Sequence, residues 1–537
     1  MNPRNLHLTI KRQQSCRRHI SDHHEPQMTR FLHESVKQQI RIPLRIHHEE
    51  TKVEEKHPTV VAENSESGTN MTLKTRYLLI LLICALGQSG YGQFAEDAVD
   101  ILDKLYGFGA RSISMGTAYT AVADDYSATY WNPAGLAQMK RMEFYGGISN
   151  LNYNSDAIFY NKLTATDNNF TKLSSFGFVF PVPTFRGSLV FALGYHRVKE
   201  FDSNFRFEGI NPNQSGMNFD VDTATVAFFD ENTRQQEIIN QDGSLNNWSF
   251  AGAIDVSPNV SVGLSVNFWT GKADYGFNFL QEDINDIYNA FPADFSNFNL
   301  SQKIISDYSA FQVKVGVLMR ASERLRLGFS IGLPMTFNVV EQFSSSNILE
   351  FDNGDSFENT DYYFDNDGFT GEVISEFEYD VFTPFQFAAG ASYSISDFLV
   401  SGAFEYIDLS QVKFEIPDEV DLGSDYDALL DENNIIRNFF TGQLKLKIGA
   451  EYTIHALDLK LRAGYMIEDS PQKNTPDEFN RKFYSGGIGL IVDEQFLIDV
   501  AYVLGEWENT SEDYFTPGPV TESISYQKLI FTTSFRF

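Results

Sequence analysis

From Val260 to Phe268 the chain reads Val-Ser-Val-Gly-Leu-Ser-Val-Asn-Phe, so every second side chain is apolar and its neighbours are small or polar. The same alternation sets Phe311, Val313, Val315 and Val317 against Gln312, Lys314 and Gly316. It also sets Leu325, Leu327, Phe329, Ile331 and Leu333 against Arg326, Gly328, Ser330 and Gly332. Period two marks a strand with one face in an apolar medium. A strand that crosses a bilayer needs about 9 to 11 such residues, and its backbone is satisfied only if the sheet closes on itself. The pattern predicts strands near 142–153, 172–182, 187–201, 245–256, 260–275, 306–321 and 325–341. Seven more are predicted near 378–395, 398–413, 441–455, 458–470, 482–493, 496–507 and 522–537, giving fourteen, an even number as expected of a single-chain bacterial barrel.

Connection lengths give an independent check. Short turns at Pro183 to Arg186, Ser257 to Asn259, Ser322 to Arg324, Ser396-Asp397, Ala456-Leu457 and Glu494-Gln495 alternate with longer loops. Barrels with short periplasmic turns and longer outer loops segregate their connections in this way, whereas a two-sheet sandwich has no reason to. The last strand places Leu529, Phe531, Thr533, Phe535 and Phe537 on one face. An aromatic Phe537 after an alternating strand is read as a recognition signal for the barrel assembly machinery; the competing reading is a hydrophobic edge strand of a soluble sheet.

Residues 93–141 do not alternate. Ala98, Ile101, Leu102 and Leu105 recur at helical spacing, and a small-residue run, Ser114-Met115-Gly116-Thr117-Ala118, follows. A barrel of about fourteen strands is wide enough to need an internal plug unless it is an open pore, and this compact segment suits that role. The fold expected is therefore all-β: a 14-stranded antiparallel transmembrane barrel, residues 142–537, with a small, partly helical plug, residues 93–141.

Upstream, Lys74 and Arg76, the apolar run Tyr77 to Leu86 and the small residues Gly90-Tyr91-Gly92 form the three parts of an export signal over 71–92, with the mature chain starting near Gln93. Residues 1–70, His-rich and aperiodic, read as an over-called start or a disordered extension. Of the 41 basic and 72 acidic residues, 13 and 9 lie in 1–92, leaving 28 against 63 in the exported part. That balance excludes nucleic-acid binding. Both cysteines, Cys16 and Cys84, also lie upstream, so no disulfide framework is expected.

Within the plug, Gly109-Ala110-Arg111, Met115-Gly116, Ala121-Val122-Ala123-Asp124-Asp125 and above all Tyr130-Trp131-Asn132-Pro133-Ala134-Gly135-Leu136 resemble the N-terminal hatch of the FadL family of outer-membrane transporters, whose signature is Asn-Pro-Ala. Further similarities run through the barrel: Thr383-Pro384, Ala389 to Tyr393, Phe404-Glu405-Tyr406, Ile448 to Tyr452, Leu461 to Tyr465 and Ser470-Pro471. The resemblance implies location in the bacterial outer membrane, among its lipids, and passive uptake of long-chain fatty acids, hydrocarbons or other hydrophobic small molecules. Ligand would be caught at the outer loops, bound in the lumen and released sideways through the wall, coupled to the hatch. In that hatch, Asn132, Pro133, Ala134 and Gly135 are the residues implied to act, with Asn132 capping or turning the chain and Pro133 stiffening it; a turn that only holds the plug is the alternative.

The family's outer capture groove corresponds to the loop from Gly276 to Leu300, whose Phe277, Phe279, Leu280, Ile284, Ile287, Tyr288, Phe291, Phe295 and Phe298 are candidates for first contact with ligand. The alternative is a loop packing its own small core above the barrel. Phe268, Trp269 and Phe337, near predicted outer strand ends, read as an aromatic interface girdle. The acidic clusters Asp352, Asn353, Asp355 and Asp361, Asp365, Asp367 have calcium-type oxygens but no complete EF-hand spacing, and read as solvated loops. His196 and His455, the histidines downstream of the signal, lack a nucleophile context, so neither an enzyme nor any metal or cofactor is expected. Two other classes stay open: a FadL-like barrel serving as shuttle or anchor in a protein secretion system, and a general polar porin, which predicts no plug.

Overall fold

The computed structural model describes residues 95–537 apart from 104–105, 216, 221–225, 291–293, 361, 366–367, 373–374, 418–423, 477–478, 494, 512–515 and 517, together with His7–Leu8. The expected export signal, 71–92, and almost all of 1–70 lie outside the described residues, as do Phe291, Asp361 and Asp367.

The wall is built from β1 (Glu143–Phe159), β2 (Lys162–Val182), β3 (Leu189–Glu200), β4 (Ser203–Asn211), β5 (Thr233–Ser257), β6 (Val260–Glu282), β7 (Phe295–Arg320), β8 (Leu325–Gly332) and β9 (Met335–Phe351). It continues through β10 (Ser375–Thr383), β11 (Gln386–Ile395), β12 (Phe398–Asp408), β13 (Gly442–Ile454), β14 (Leu459–Glu468), β15 (Arg481–Val492), β16 (Phe496–Ser511) and β17 (Val520–Arg536). Three pairs of segments, β3 with β4, β8 with β9 and β10 with β11, are single staves broken near the middle, so the wall has fourteen staves. β17 pairs with β1 from Glu143↔Arg536 to Ile158↔Thr521, which closes the barrel antiparallel.

All fourteen predicted strands are present, and the short turns fall where the connection pattern puts them. The outward residues of the alternating runs form a belt of exposed apolar side chains, including Leu264, Phe311, Phe329, Phe404, Ile448 and Ile488. A continuous apolar belt of this extent is favourably solvated by lipid rather than water.

The main departure from the sequence reading is length. β1 and β2 meet at a two-residue hairpin, Tyr160-Asn161, both with positive φ, where a longer loop was expected. β5, β6 and β7 run for 25, 23 and 26 residues. Beyond the belt their outward faces are polar apart from Ile238, Leu280 and Ile305, so the apolar–polar alternation fades although the strands continue. Backbone pairing there is supported by side-chain ladders such as Asn150 Nδ2 to Asn169 Oδ1 at 2.8 Å and to Thr171 Oγ1 at 2.8 Å.

Inside the barrel lie α1 (Ala95–Asp100), α2 (Ala110–Ser114), α3 (Ala128–Trp131) and a 3₁₀ turn, Pro133–Gln138. The outer mouth carries α4 (Ser424–Phe439), from the loop between β12 and β13.

Candidate functional site

The hatch is seated directly on the backbone of the wall. Side chains on the inward face of the strands would keep it at a distance, and glycine removes them. A Cβ on Gly316 would fall 2.1 Å from Asn132 Oδ1, and one on Gly263 would fall 2.4 Å from the Ala134 nitrogen. Across the bore, a Cβ on Gly328 would meet Thr120 O at 2.2 Å, on Gly449 Met115 O at 2.2 Å, and on Gly464 the Gly116 nitrogen at 1.9 Å. These glycines lie on β6, β7, β8, β13 and β14, so contact is made on several sides of the barrel.

Asn132 is fully buried and spends its whole side chain on this seat. Its Nδ2 donates to Thr120 O at 2.8 Å within the hatch and to Val317 O at 3.1 Å on β7, while its Oδ1 accepts from the Ala134 N–H at 3.2 Å. The last bond caps the 3₁₀ turn that Pro133 opens, a position where the missing N–H costs nothing. Gly135 is required by close approach, since a Cβ there would lie 2.2 Å from Ala123 O. Tyr130 and Trp131, just before this element, are gripped by lysines of two strands: Lys314 Nζ lies 4.6 Å from the Tyr130 ring centre and Lys447 Nζ 5.1 Å from that of Trp131.

The Arg111 and Asp124 positions of the hatch meet in a buried charge network. Arg111 bridges Asp124 and, at 2.9 Å, Glu451 on β13. Glu451 also holds Lys460 at 2.9 Å and Arg462 at 2.8 Å, and Arg462 reaches Asp499 at 2.5 Å. At the same end, Arg536 pairs with Glu143, which accepts the Tyr126 N–H at 2.9 Å. Glycine-seated backbone on one side and paired charges on the other fill the bore toward its short-turn end.

The outer half is apolar. Ala95, Ala98, Val99, Ile101 and Leu102 pack among Trp269, Phe337, Val339, Tyr379, Val381 and, from α4 and its end, Leu429, Ile436 and Phe440. Trp269 and Phe337 are thus lumenal, 5.9 Å apart ring to ring, and not part of an interface girdle; both sit on the inward register of their strands. Phe268 does face outward, beside Phe311. α4 closes the mouth over α1, and the Ala95 N–H donates to Glu432 Oε2 at 3.0 Å. Burial, reinforced by the nearby Glu96 carboxylate, pushes the Glu432 carboxyl up to about 7, against the pull of that N–H. The docked state therefore binds more protons than the undocked one between the ordinary carboxylate range and pH 7, and docking weakens as pH rises through that window and is constant above it. Protease protection of α4 is expected to be higher at pH 5 than at pH 8, with the difference reduced in Glu432→Gln and the remainder owed to the Glu96 carboxyl, which burial also raises; equal protection of the unsubstituted protein at both values would contradict this.

The predicted capture residues are dispersed. Phe277 and Phe279 end β6, Phe295 and Phe298 begin β7, and all four are buried with Met217, Phe229, Leu300, Leu349 and Phe351 in a core that stands above the belt. Leu280 is half-buried, whereas Ile284 and Ile287, in the connection itself, are exposed. His196 stacks on Phe108 of the hatch at 4.1 Å, and His455 faces Asp397 at 3.2 Å in exposed turns. Among the described residues no three His, Cys, Asp or Glu side chains converge as a metal site.

The three stave breaks differ in consequence. At Leu333-Pro334 and Pro384-Phe385 the ladders run on: β8 pairs with β11 and β9 with β10, so the wall stays shut. At Phe201-Asp202 they do not. β3 pairs with β2 only from Ser175↔His196 to Val182↔Leu189, while β4 pairs with β5 alone among the described residues. β4 leans inward, its Phe207 ring 4.8 Å from that of the inward-facing Phe159. The edge of β2 from Lys162 to Ser174 therefore faces a gap in the backbone ladder, spanned by side chains: Lys162 to Glu208 at 2.5 Å, Lys172 to Asp202, and Asn168 Nδ2 to Asn204 O at 3.5 Å.

No protein-family model and no curated protein matches the chain. Among solved structures, it resembles a Pseudomonas aeruginosa FadL homologue with a TM-score of 0.51 at 12% identity, covering 80% of this chain and 98% of that one. It also resembles a deletion mutant of the monoaromatic hydrocarbon channel TodX with a TM-score of 0.50 at 12% identity, covering 81% of this chain and 100% of the other. The fold is shared: a fourteen-stranded antiparallel barrel with a small helical N-terminal segment.

Proposed function

We propose that this chain, built on the fold of the FadL-type barrels, is an outer-membrane channel for passive uptake of hydrophobic compounds, fatty acids or hydrocarbons among them, and not an enzyme. The observation that carries the reading is the contrast between the two ways out of the lumen. Along the axis the bore is filled by the glycine-seated hatch and the charge network around Glu451, a medium hostile to an apolar solute. Sideways, the single break whose ladder does not continue leaves a passage near the edge of the apolar belt, where an apolar ligand gains by burial in lipid.

The outward side chains place this gap. Tyr195 and Trp248, which mark the outer end of the belt on β3 and β5, lie a few residues below Phe201-Asp202. Ligand arriving from outside would touch the exposed Ile284 and Ile287, displace the α4–α1 closure and enter the apolar outer half of the lumen. Movement of the hatch at Asn132 to Gly135 would couple binding to release. The mouth is filled by side chains and the wall is interrupted, the reverse of the sealed wall and protein-sized outer cavity that a secretion shuttle calls for.

Uptake of labelled oleate and of labelled toluene, compared in cells with and without the protein, tests this. Loss of uptake of at least one is expected on deletion, and unchanged uptake of both contradicts the reading. In Asn132→Ala the hatch loses two internal hydrogen bonds and the one to Val317 O on the wall, at about 1 to 3 kcal/mol for each buried group left unpaired, and altered uptake is expected with it.

A further inference from the structure

The two strand edges that border the gap are ready to pair. Among the described residues, β2 from Lys162 to Leu173 carries a ladder only to β1, and β4 from Ser203 to Asn211 only to β5. Their other edges face each other with backbone groups that no strand takes up. Free edges of this kind are normally covered or blocked, often by proline. The stave breaks at Pro334 and Pro384 have one each, whereas neither edge here contains any, so every residue on both can donate to a ladder. Register and facing agree as well. β3 pairs with β2 from Ser175↔His196 to Val182↔Leu189, and the same register carried upward sets Thr166 against Phe205 and Thr164 against Phe207. All four are on the less exposed face of their strands, with Ala165 and Arg206 exposed between them. The contacts that span the gap lie within one residue of this alignment: Asn168 meets Asn204, where Ser203 is the aligned partner, and Lys162 meets Glu208, where Gly209 is.

What separates the edges is depth. The far end of β4 lies behind the β1–β2 hairpin, so that a Cβ on Gly209 would fall 3.0 Å from Phe159 O. Bringing β4 into line is an outward swing of about one strand spacing, roughly 5 Å, about Phe201-Asp202. We propose that this swing occurs and that the break is a gate: β4 zips onto the edge of β2 to shut the wall, and an apolar ligand lodged between the edges holds it open. The inference rests on the uptake reading above and adds a regulation of the same exit. Zipping extends the β2–β3 ladder upward, satisfies backbone groups on both edges and leaves each side chain on the face it already occupies. Lys172, at the hinge end, ties β2 to Asp202 and, at 2.9 Å, to Asp242 on β5, which confines the swing to the far end of β4.

The test is hydrogen exchange, resolved to single amides, on the purified full-length protein in phospholipid nanodiscs with and without oleate. With β4 behind the hairpin, about half the amides from Leu163 to Leu173 have no backbone partner; zipped, they are bonded. Without oleate these gap-facing amides are expected to exchange at least about tenfold more slowly than free peptide, the mark of a shut state that outweighs the open one by that ratio. Saturating oleate should return them to the free rate, while the amides of Phe176 to Val182, paired in both arrangements, stay protected. Free exchange without oleate overturns the gate and leaves the uptake reading standing, since a permanent gap also serves lateral exit. Protection that oleate does not relieve overturns the ligand-held gate and counts against exit at this place as well.

Discussion

Gly464→Val is expected to turn the closed barrel into an open channel. The substituted strand, β14, has no reason to misfold: valine favours strands, and the outward residues that meet lipid and neighbouring side chains are untouched. Inside, however, the new side chain starts 1.9 Å from the Gly116 nitrogen and 2.2 Å from the Met115 carbonyl carbon. Both are backbone atoms, so no rotamer change relieves the overlap, and the cost exceeds the 1 to 3 kcal/mol or so of ordinary overpacking. The cheapest response is for the hatch to leave its seat. Single-channel recordings in planar bilayers should show a large new conductance, with heat-modifiable migration on gels preserved as the sign of an intact barrel. A variant as closed as the parent would mean that the hatch is not held by backbone contact with the wall.

A second large effect is expected at Glu451. This carboxylate is almost fully buried and compensates Arg111, Lys460 and Arg462 together. Glu451→Gln keeps the shape but leaves three cations to share what remains, and breaking a buried pair from one side costs about 3 to 5 kcal/mol. Urea unfolding of the refolded protein in micelles should register that loss. Adding Arg111→Gln to the same chain should return part of it, because the two residues are in contact and their effects do not add. A loss of less than about 1 kcal/mol in the single variant would show that the network is solvated rather than buried.

The parts of the fold that touch lipid were legible because lipid enforces period two. Leu325 to Leu333 and Leu529 to Phe537 could be read as strands residue by residue for that reason. Where water replaces lipid on the outer face, the constraint lapses. Asn150, Asn152 and Asn154 alternate outward without being apolar, so the outer reach of β1 and β2 has the sequence pattern of a loop. Phe277 and Phe298 stand out in the sequence as apolar residues of an outer connection, yet no alternation marks the strands that carry them, and with the strands comes a core that buries them.

For α4 the sequence does carry a signal: the doublets Leu429-Leu430, Ile435-Ile436 and Phe439-Phe440 recur at helical spacing. The hatch residues around Asn132 are legible through resemblance, but what they rest on is not, because the glycines that seat them are scattered over five strands. The gap was hidden most fully. No proline marks Phe201-Asp202, and the local sign is a slip in alternation that buries Val198 and Lys199 in succession. Which breaks open a wall depends on how neighbouring strands pair across them, a property of the sheet and not of the segment.

Lateral exit through that gap is tested most directly by a reversible cross-link across it. With cysteines placed at Asn168 on β2 and Asn204 on β4, whose side chain and backbone are already in contact at 3.5 Å, oxidation would bind the two edges together. Uptake of labelled oleate and toluene into cells is predicted to stop on oxidation and to recover on reduction, while either single-cysteine variant takes up both throughout. Full uptake of both compounds with the bridge formed would contradict lateral exit at this place in the wall.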